Sequence, residues 1–127
     1  MRRFMALALT LAVGACSLLQ PGARRYVVFF QEWSADLDNG GIETVMAAAK
    51  AADQLPGRPI IVSGYADPEG SPQANKDISR LRAQVVSDAL VKHGVAASRL
   101  QRRAMGAVGF ALDSQESRRV DIYVGAP

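Results

Sequence analysis

A charged side chain is drawn toward the interior of this chain at Arg82. The stretch from Ser63 to Ala83 reads Ser63-Gly64-Tyr65-Ala66-Asp67, then Pro68-Glu69-Gly70-Ser71-Pro72, then a helix through Asn75, Ile78, Ser79, Arg82 and Ala83. A buried strand is predicted to end at Gly64, a turn delivers Asp67, and the helix carries Arg82 back toward it. On a helical wheel counted from Ile78, Leu81, Val85 and Ala89 join Ile78 in one apolar face. Arg82 and Asn75 fall at about 40° and 60°, on the flank of that face and not on its solvent side. An unpaired charge there is very costly, so Arg82 needs a partner. Asp67 is the nearest candidate in sequence.

The surrounding pattern supplies a frame for this stretch. Tyr26-Val27-Val28-Phe29-Phe30 is a β-branched and aromatic run that reads as a strand buried on both faces or nearly so. Ile42, Val45, Met46, Ala49 and Ala52 keep helical spacing, with Asp38 or Asn39 as N-cap and Leu55-Pro56-Gly57 as the stop. Pro59-Ile60-Ile61-Val62-Ser63 is a second apolar run, short enough for a central strand. Strand–helix–strand order of this kind usually makes a parallel pair with a right-handed crossover.

The second helix is predicted to start at Ser71-Pro72 and stop at His93-Gly94, where His93 favours the negative end of the helix dipole. Leu100 to Met105 gives a third strand, Gly106 to Ser117 a loop, and Arg119 to Val124 a last strand. In that last strand Val120, Ile122 and Val124 face inward and the other face is solvated. Phe30 and Trp33 read as core. The expected fold class is α+β: one domain of order β-α-β-α-β-β, with two main helices packed on a mixed four-stranded sheet.

The N-terminus has a different character. Met1-Arg2-Arg3 followed by an apolar run from Phe4 to Val13 is too short to span a bilayer as a helix but has the form of a secretory signal. It ends in Leu11-Ala12-Val13-Gly14-Ala15-Cys16, which resembles the bacterial lipobox. The predicted division is therefore a lipoprotein signal peptide over 1–15, a lipidated Cys16 with a short linker over 16–24, and the folded domain over 25–127. Several acyl chains on one residue anchor stably where a single chain binds marginally. Ser17 after the cysteine, by resemblance to the sorting pattern of such proteins, implies the outer membrane.

Charge and cysteine count narrow the function. The formal charge of +3 includes Arg2 and Arg3; without them 13 basic side chains face 12 acidic ones, which is no footprint for nucleic acid. One cysteine and one histidine argue against a disulfide or a zinc site. No G-x-S-x-G, P-loop or serine–histidine–acid pattern points to an enzyme, and no cofactor or metal is expected.

The stretch around Arg82 resembles the peptidoglycan-binding domain at the C-terminus of outer membrane protein A, shared with the peptidoglycan-associated lipoproteins. That family's helix signature, N-x-x-L-S-x-x-R-A-x-x-V-x-x-x-L, is met by Asn75, Ile78, Ser79, Arg82, Ala83, Val86 and Leu90, with isoleucine for leucine. Its G-[HY]-[TA]-D is Gly64-Tyr65-Ala66-Asp67, followed by Gly70. Phe30 with Ser34-Ala35-x-Leu37, Gly94-Val95 with Ser98-x-Leu100, and Arg118-Arg119-Val120-Asp121-Ile122 match further, with Ser117 in place of an asparagine. The resemblance covers about residues 26–124. Gly106-Ala107-Val108-Gly109-Phe110 departs from the family's G-x-G-E loop, lacking both the glutamate and the proline after it.

The resemblance implies a non-enzymatic domain that grips meso-diaminopimelate in the peptidoglycan stem peptide. That residue ends in an ammonium and a carboxylate on one carbon, so the site needs a fixed anion and a fixed cation. Asp67 would take the ammonium and Arg82 the carboxylate, through its planar fork. Asn75 would donate and accept beside them, Ala66 and Ile78 would line the floor, and Arg118 would add a cation at the rim. The residues alone favour a structural ion pair for Asp67 and Arg82, which the resemblance turns toward binding, and they leave Asn75 open as a stabiliser of the first helical turn and Arg118 and Arg119 as a solvated strand edge. With the site empty, Asp67 and Arg82 are expected to pair with each other.

The implied protein is an outer-membrane lipoprotein on the periplasmic face, tethering membrane to wall. The alternative is a scaffold subunit of an envelope assembly, with protein partners and little wall binding. The divergent 106–110 loop motivates it, as does a linker from Ser17 to Arg24 that spans at most about 28 Å. Lipidation predicts that Cys16→Ser shifts the protein's gel mobility and moves it from the membrane to the soluble fraction. Unchanged mobility and fractionation would mean that Cys16 carries no anchor.

Overall fold

A computed structural model describes residues 22–108 and 114–125. The proposed signal segment, Cys16 and the part of the loop containing Gly109 and Phe110 lie outside the described residues. Four strands and two long helices follow in the order β1 (Arg24–Phe29), α1 (Asn39–Gln54), β2 (Ile60–Ala66), α2 (Pro72–Lys92), β3 (Leu100–Ala107) and β4 (Arg119–Val124). A 3-10 turn, Ala97–Arg99, precedes β3, and a short helix, α3 (Ser114–Ser117), precedes β4.

Local chemistry sets the helix ends. Asp38 caps α1, its carboxylate accepting from the Gly41 N–H at 2.7 Å. Ser71 caps α2 in the same way through the Ala74 N–H, with Pro72 at the first position. At the other end Gly94, φ 97°, forms a Schellman close. Its N–H donates to Val91 O and the Val95 N–H donates to Leu90 O, both at 3.0 Å.

The sheet order is β1-β4-β2-β3. β2 and β3 are parallel neighbours, joined by α2 as the crossover. β1 and β2 run in the same direction but are not neighbours, contrary to the adjacent pair expected from their order. β4 lies between them, antiparallel to both, with Val120 facing Val28 on one side and Gly64 on the other. A strand order read along the chain cannot anticipate a later strand inserted into the gap.

Both long helices cover one sheet face. The core there comprises Val28, Ile60, Val62, Val120, Ile122 and Val124 from the strands, with Val45, Ala48, Ala49 and Ala52 from α1 and Ala83, Val86 and Leu90 from α2. Ile42 and Met46, which keep the helical period of α1, are exposed at its edge. The face of β4 expected to be solvated is not open either. Asp121 is only 1% exposed, covered by Arg25 and Arg119, each 3.1 Å from its carboxylate, and by the Tyr123 hydroxyl. Burial comes first among the causes that raise the Tyr123 pKa. Arg119 also lies 4.2 Å from the centre of the Tyr65 ring.

The buried side of α2 differs from the face its apolar residues mark out. Leu81 is half exposed, and Ile78 and Val85 are only partly covered. Asn75, Ser79, Arg82, Ala83, Val86 and Leu90 face the sheet instead. Gly64 explains the rotation. A methyl at Gly64 would run into the Ser79 carbonyl oxygen, so the bare glycine lets the α2 backbone rest directly on β2. Ser79 is then fully buried and satisfied: its hydroxyl donates to Lys76 O at 2.8 Å and accepts from the Gly106 N–H at 3.0 Å. Gly106, φ 73°, lies where β3 gains one residue on β2 between the Gly64–Ala104 and Ala66–Ala107 pairs.

This seat predicts that Gly64→Ala lowers stability by about 3 kcal/mol, as overpacking against backbone does. Gly57→Ala, at φ 74° but in open space, should lose only about 1 kcal/mol. Urea denaturation of the two variants compares them. Equal losses would show that α2 is not seated through Gly64.

Candidate functional site

The C-terminal end of β2 collects the charged residues singled out in the sequence. Asp67 follows the strand directly and is 6% exposed. Its carboxylate is 3.3 Å from Arg118 Nη1, and Arg118 Nε also donates to the Phe30 carbonyl at 3.3 Å. Arg118 stands immediately before β4, so the middle position of that strand brings the pair together.

Arg82, 1% exposed, does not pair with Asp67. Its Nε donates to Ser34 O at 2.8 Å, Nη1 to Tyr65 O at 3.0 Å and Nη2 to Gln31 O at 3.0 Å, with its guanidinium carbon 5.4 Å from the centre of the Phe30 ring. The expected ion pair of the empty site is therefore replaced by three main-chain carbonyls. The reason is geometric: Arg82 faces the sheet squarely, where the turn after β1 and the end of β2 offer acceptors. Burial lowers the Arg82 pKa to about 10, with Asp67 raising it and Arg118 lowering it. The group stays charged at neutral pH, and the three side chains share one field.

Asn75 is 2% exposed on the first turn of α2, and its side-chain Oδ1 has no hydrogen-bond partner. A buried acceptor without a donor costs roughly 1–3 kcal/mol, so such an atom calls for an explanation. Ala66 is buried as the last residue of β2, and Ile78 is partly buried one turn along from Asn75. The structure therefore gathers Asp67 with Arg118 directly, brings Arg82 within electrostatic reach, and sets Asn75 beside Gly70 in the loop that Asp67 opens.

Trp33, expected in the core, is 50% exposed. A methyl on Gly70 would come within 2.7 Å and 3.0 Å of its Cη2 and Cζ2 and 3.8 Å from Asn75 Oδ1, so the indole edge lies across this loop. The signal available in the sequence was the run Gln31-Glu32-Trp33-Ser34 immediately after the Phe30 match, but aromatic character alone pointed inward.

A cavity of about 380 Å³ lies elsewhere, lined by Arg25, Val27, Phe29, Glu116 and Arg119 on the sheet face away from the helices. Both of its arginines are already held by Asp121. Among the described residues no cluster of His, Cys, Asp and Glu could hold a metal ion, and no helix is long and apolar enough to cross a membrane.

Comparison with known proteins places these features in context. The sequence pattern of the OmpA family matches residues 29–120. The probable lipoprotein YiaD of Escherichia coli (strain K12) is 32% identical over 101 residues, covering 75% of this chain and 46% of that protein. The chain thus spans less than half the length of that curated relative. The peptidoglycan-associated lipoprotein from Burkholderia pseudomallei has the same fold, with a TM-score of 0.70 at 24% identity, over 77% of this chain and 89% of that one. The OmpA-like domain of FopA1 from Francisella tularensis subsp. tularensis SCHU S4 gives 0.74 at 19% identity, over 83% and 73%. At these identities the structural likeness speaks for the fold.

The hydrogen bonding of Arg82 predicts a large structural role. Arg82→Met, similar in length but without donors, should lose about 3–5 kcal/mol by taking a charged donor from each of three main-chain carbonyls. Arg82→Lys should recover only part, since one ammonium cannot reproduce the fork. Denaturant titration measures both. A loss below about 1 kcal/mol for Arg82→Met would show that the three carbonyls do not depend on it.

Proposed function

The chain belongs to the OmpA family, and from that premise we propose that it binds peptidoglycan non-covalently through the zwitterionic end of diaminopimelate. The observation that carries this reading is the Asn75 side-chain oxygen, buried and without a donor. A ligand ammonium supplies the missing donor there, while the Asp67 carboxylate supplies its countercharge. The ligand carboxylate falls to the cations on the other side. Arg118 already holds Asp67, and Arg82 commits three of its five N–H donors to carbonyls, leaving two for the ligand. The role of Arg82 is thus double: it fixes the walls of the site and lends charge to it. Ala66 and Ile78 contribute apolar floor.

The OmpA family is one of non-enzymatic domains, and the charged cluster fits binding without chemistry. The likeness to a probable lipoprotein supports the further proposal of a lipid anchor at Cys16, placing the domain on the periplasmic face of the outer membrane, where wall binding becomes a tether. A second reading draws on the same geometry. Asp67 is already paired and Arg82 already engaged, which suits a domain that keeps the fold as a scaffold for envelope protein partners.

Sedimentation with purified peptidoglycan separates the two. Wild-type protein should pellet with the wall and be released by free meso-diaminopimelate. Asp67→Asn and Asn75→Ala should each pellet at least about tenfold less, in line with the loss of one charged or buried hydrogen bond. If both folded variants pellet like the wild type, the site assignment fails. Absence of wall binding together with stoichiometric copurifying proteins would establish the scaffold reading.

A further inference from the structure

Trp33 is held in a conformation that tryptophan avoids. Among the described residues it is the one non-glycine with positive φ, at 50°. It occupies the third position of the turn in which the Ser34 N–H donates to Gln31 O at 3.2 Å, where a positive φ favours glycine or asparagine. Two of the three hydrogen bonds from Arg82 fall on Gln31 O and Ser34 O, the carbonyls bracketing Trp33. The turn is therefore pinned on both sides while it carries a strained, bulky residue. Strain that is maintained in this way concentrates at ligand clamps.

The strain does not serve core packing, because half of the indole remains in solvent. What it achieves is position. The edge of the ring lies over Gly70, φ 88°, at the loop between Asp67 and Asn75, and the Asn75 oxygen lies within a few ångströms of the same point.

We propose that Trp33 is a specificity-determining residue that packs along the aliphatic spacer of the ligand while the charged tip enters between Asp67 and Asn75. This rests on the reading of the site as a binder of diaminopimelate. A zwitterion at the end of a side chain is joined to its parent molecule by methylenes, and these must cross the rim of the site. The charged groups inside cannot cover them. The exposed indole can, and in doing so it excludes water from the ion pairs beneath and strengthens them. The site then selects for a zwitterion on a spacer over a zwitterion alone.

The chain has one tryptophan, so its emission reports this contact directly. Titration with meso-diaminopimelate should shift the Trp33 emission to the blue and reduce acrylamide quenching, in step with the calorimetric isotherm. Trp33→Gly should melt within a few degrees of the wild type, because relief of the positive φ offsets the lost contact. It should bind meso-diaminopimelate about tenfold more weakly, the effect of uncovering about two methylenes. Its preference for meso-diaminopimelate over D-alanine, which offers the charged carbon without the spacer, should shrink by a similar factor, and Trp33→Phe should restore part of it. Calorimetric binding with unchanged Trp33 emission and quenching would overturn the inference while leaving the site reading standing. So would equal affinity in a folded Trp33→Gly. No calorimetric binding of meso-diaminopimelate to the wild type would overturn both.

Discussion

One buried guanidinium ties the working end of this domain together. Arg82 reaches from the middle of α2 to carbonyls of the turn after β1 and of the last strand residues of β2, three segments distant in sequence. The charge is tolerated because three of its five donors meet carbonyls, Phe30 lies against it and Asp67 is near enough to raise a pKa that burial depresses. Arg99 repeats the device at the opposite end of β2. It donates to Ala52 O, Leu55 O and Arg58 O, and so gathers the exit of α1 and the entry to β2. The two arginines hold the loops at either end of the sheet, and the apolar core between them is free to be small and regular.

Much of the fold was legible because it rests on local chemistry. The caps at Asp38, at Ser71-Pro72 and at Gly94 each announce a helix end through one side chain or one left-handed residue. Strands rich in Val and Ile announce themselves in the same way. What escaped was set by neighbours far along the chain. The apolar count on α2 favours Ile78, Leu81 and Val85, but Gly64 offers α2 a seat only on its polar side, where every buried group except the Asn75 and Ser87 oxygens is satisfied. Asp121 looks solvated until β4 is known to be central, with Arg25 from one side and Arg119 two residues away closing over it.

The candidate site shows the same division. Asp67, Asn75, Arg82 and Arg118 can be named from the sequence because their spacing follows a recognisable motif. Their partners cannot. Main-chain carbonyls carry no signature in a sequence, so the three acceptors of Arg82 were invisible and an acid was the natural substitute. Trp33 was misplaced for a related reason. Its exposure depends on the handedness of a single turn, and that turn is enforced by Arg82 from almost fifty positions away. The charged cluster is thus less a pair of opposed side chains than a scaffold of backbone acceptors with a few donors and acceptors left over. A ligand would meet those leftover groups.

The insertion of β4 between β1 and β2 has a bearing on how the domain forms. Until Arg119–Val124 is in hand, β1 has no hydrogen-bonded neighbour and the β2–β3 pair has an open edge. Sheet closure therefore waits on contacts of long sequence separation, the slow kind to assemble. A chain halted before Arg119 lacks the strand that pairs with both β1 and β2, and only the packing of α1 and α2 is left to hold the two parts of the sheet together. Arg118 arrives at the head of the same strand, so Asp67 gains its cation in the step that closes the sheet. Maturation of the fold and priming of its charged end are a single event.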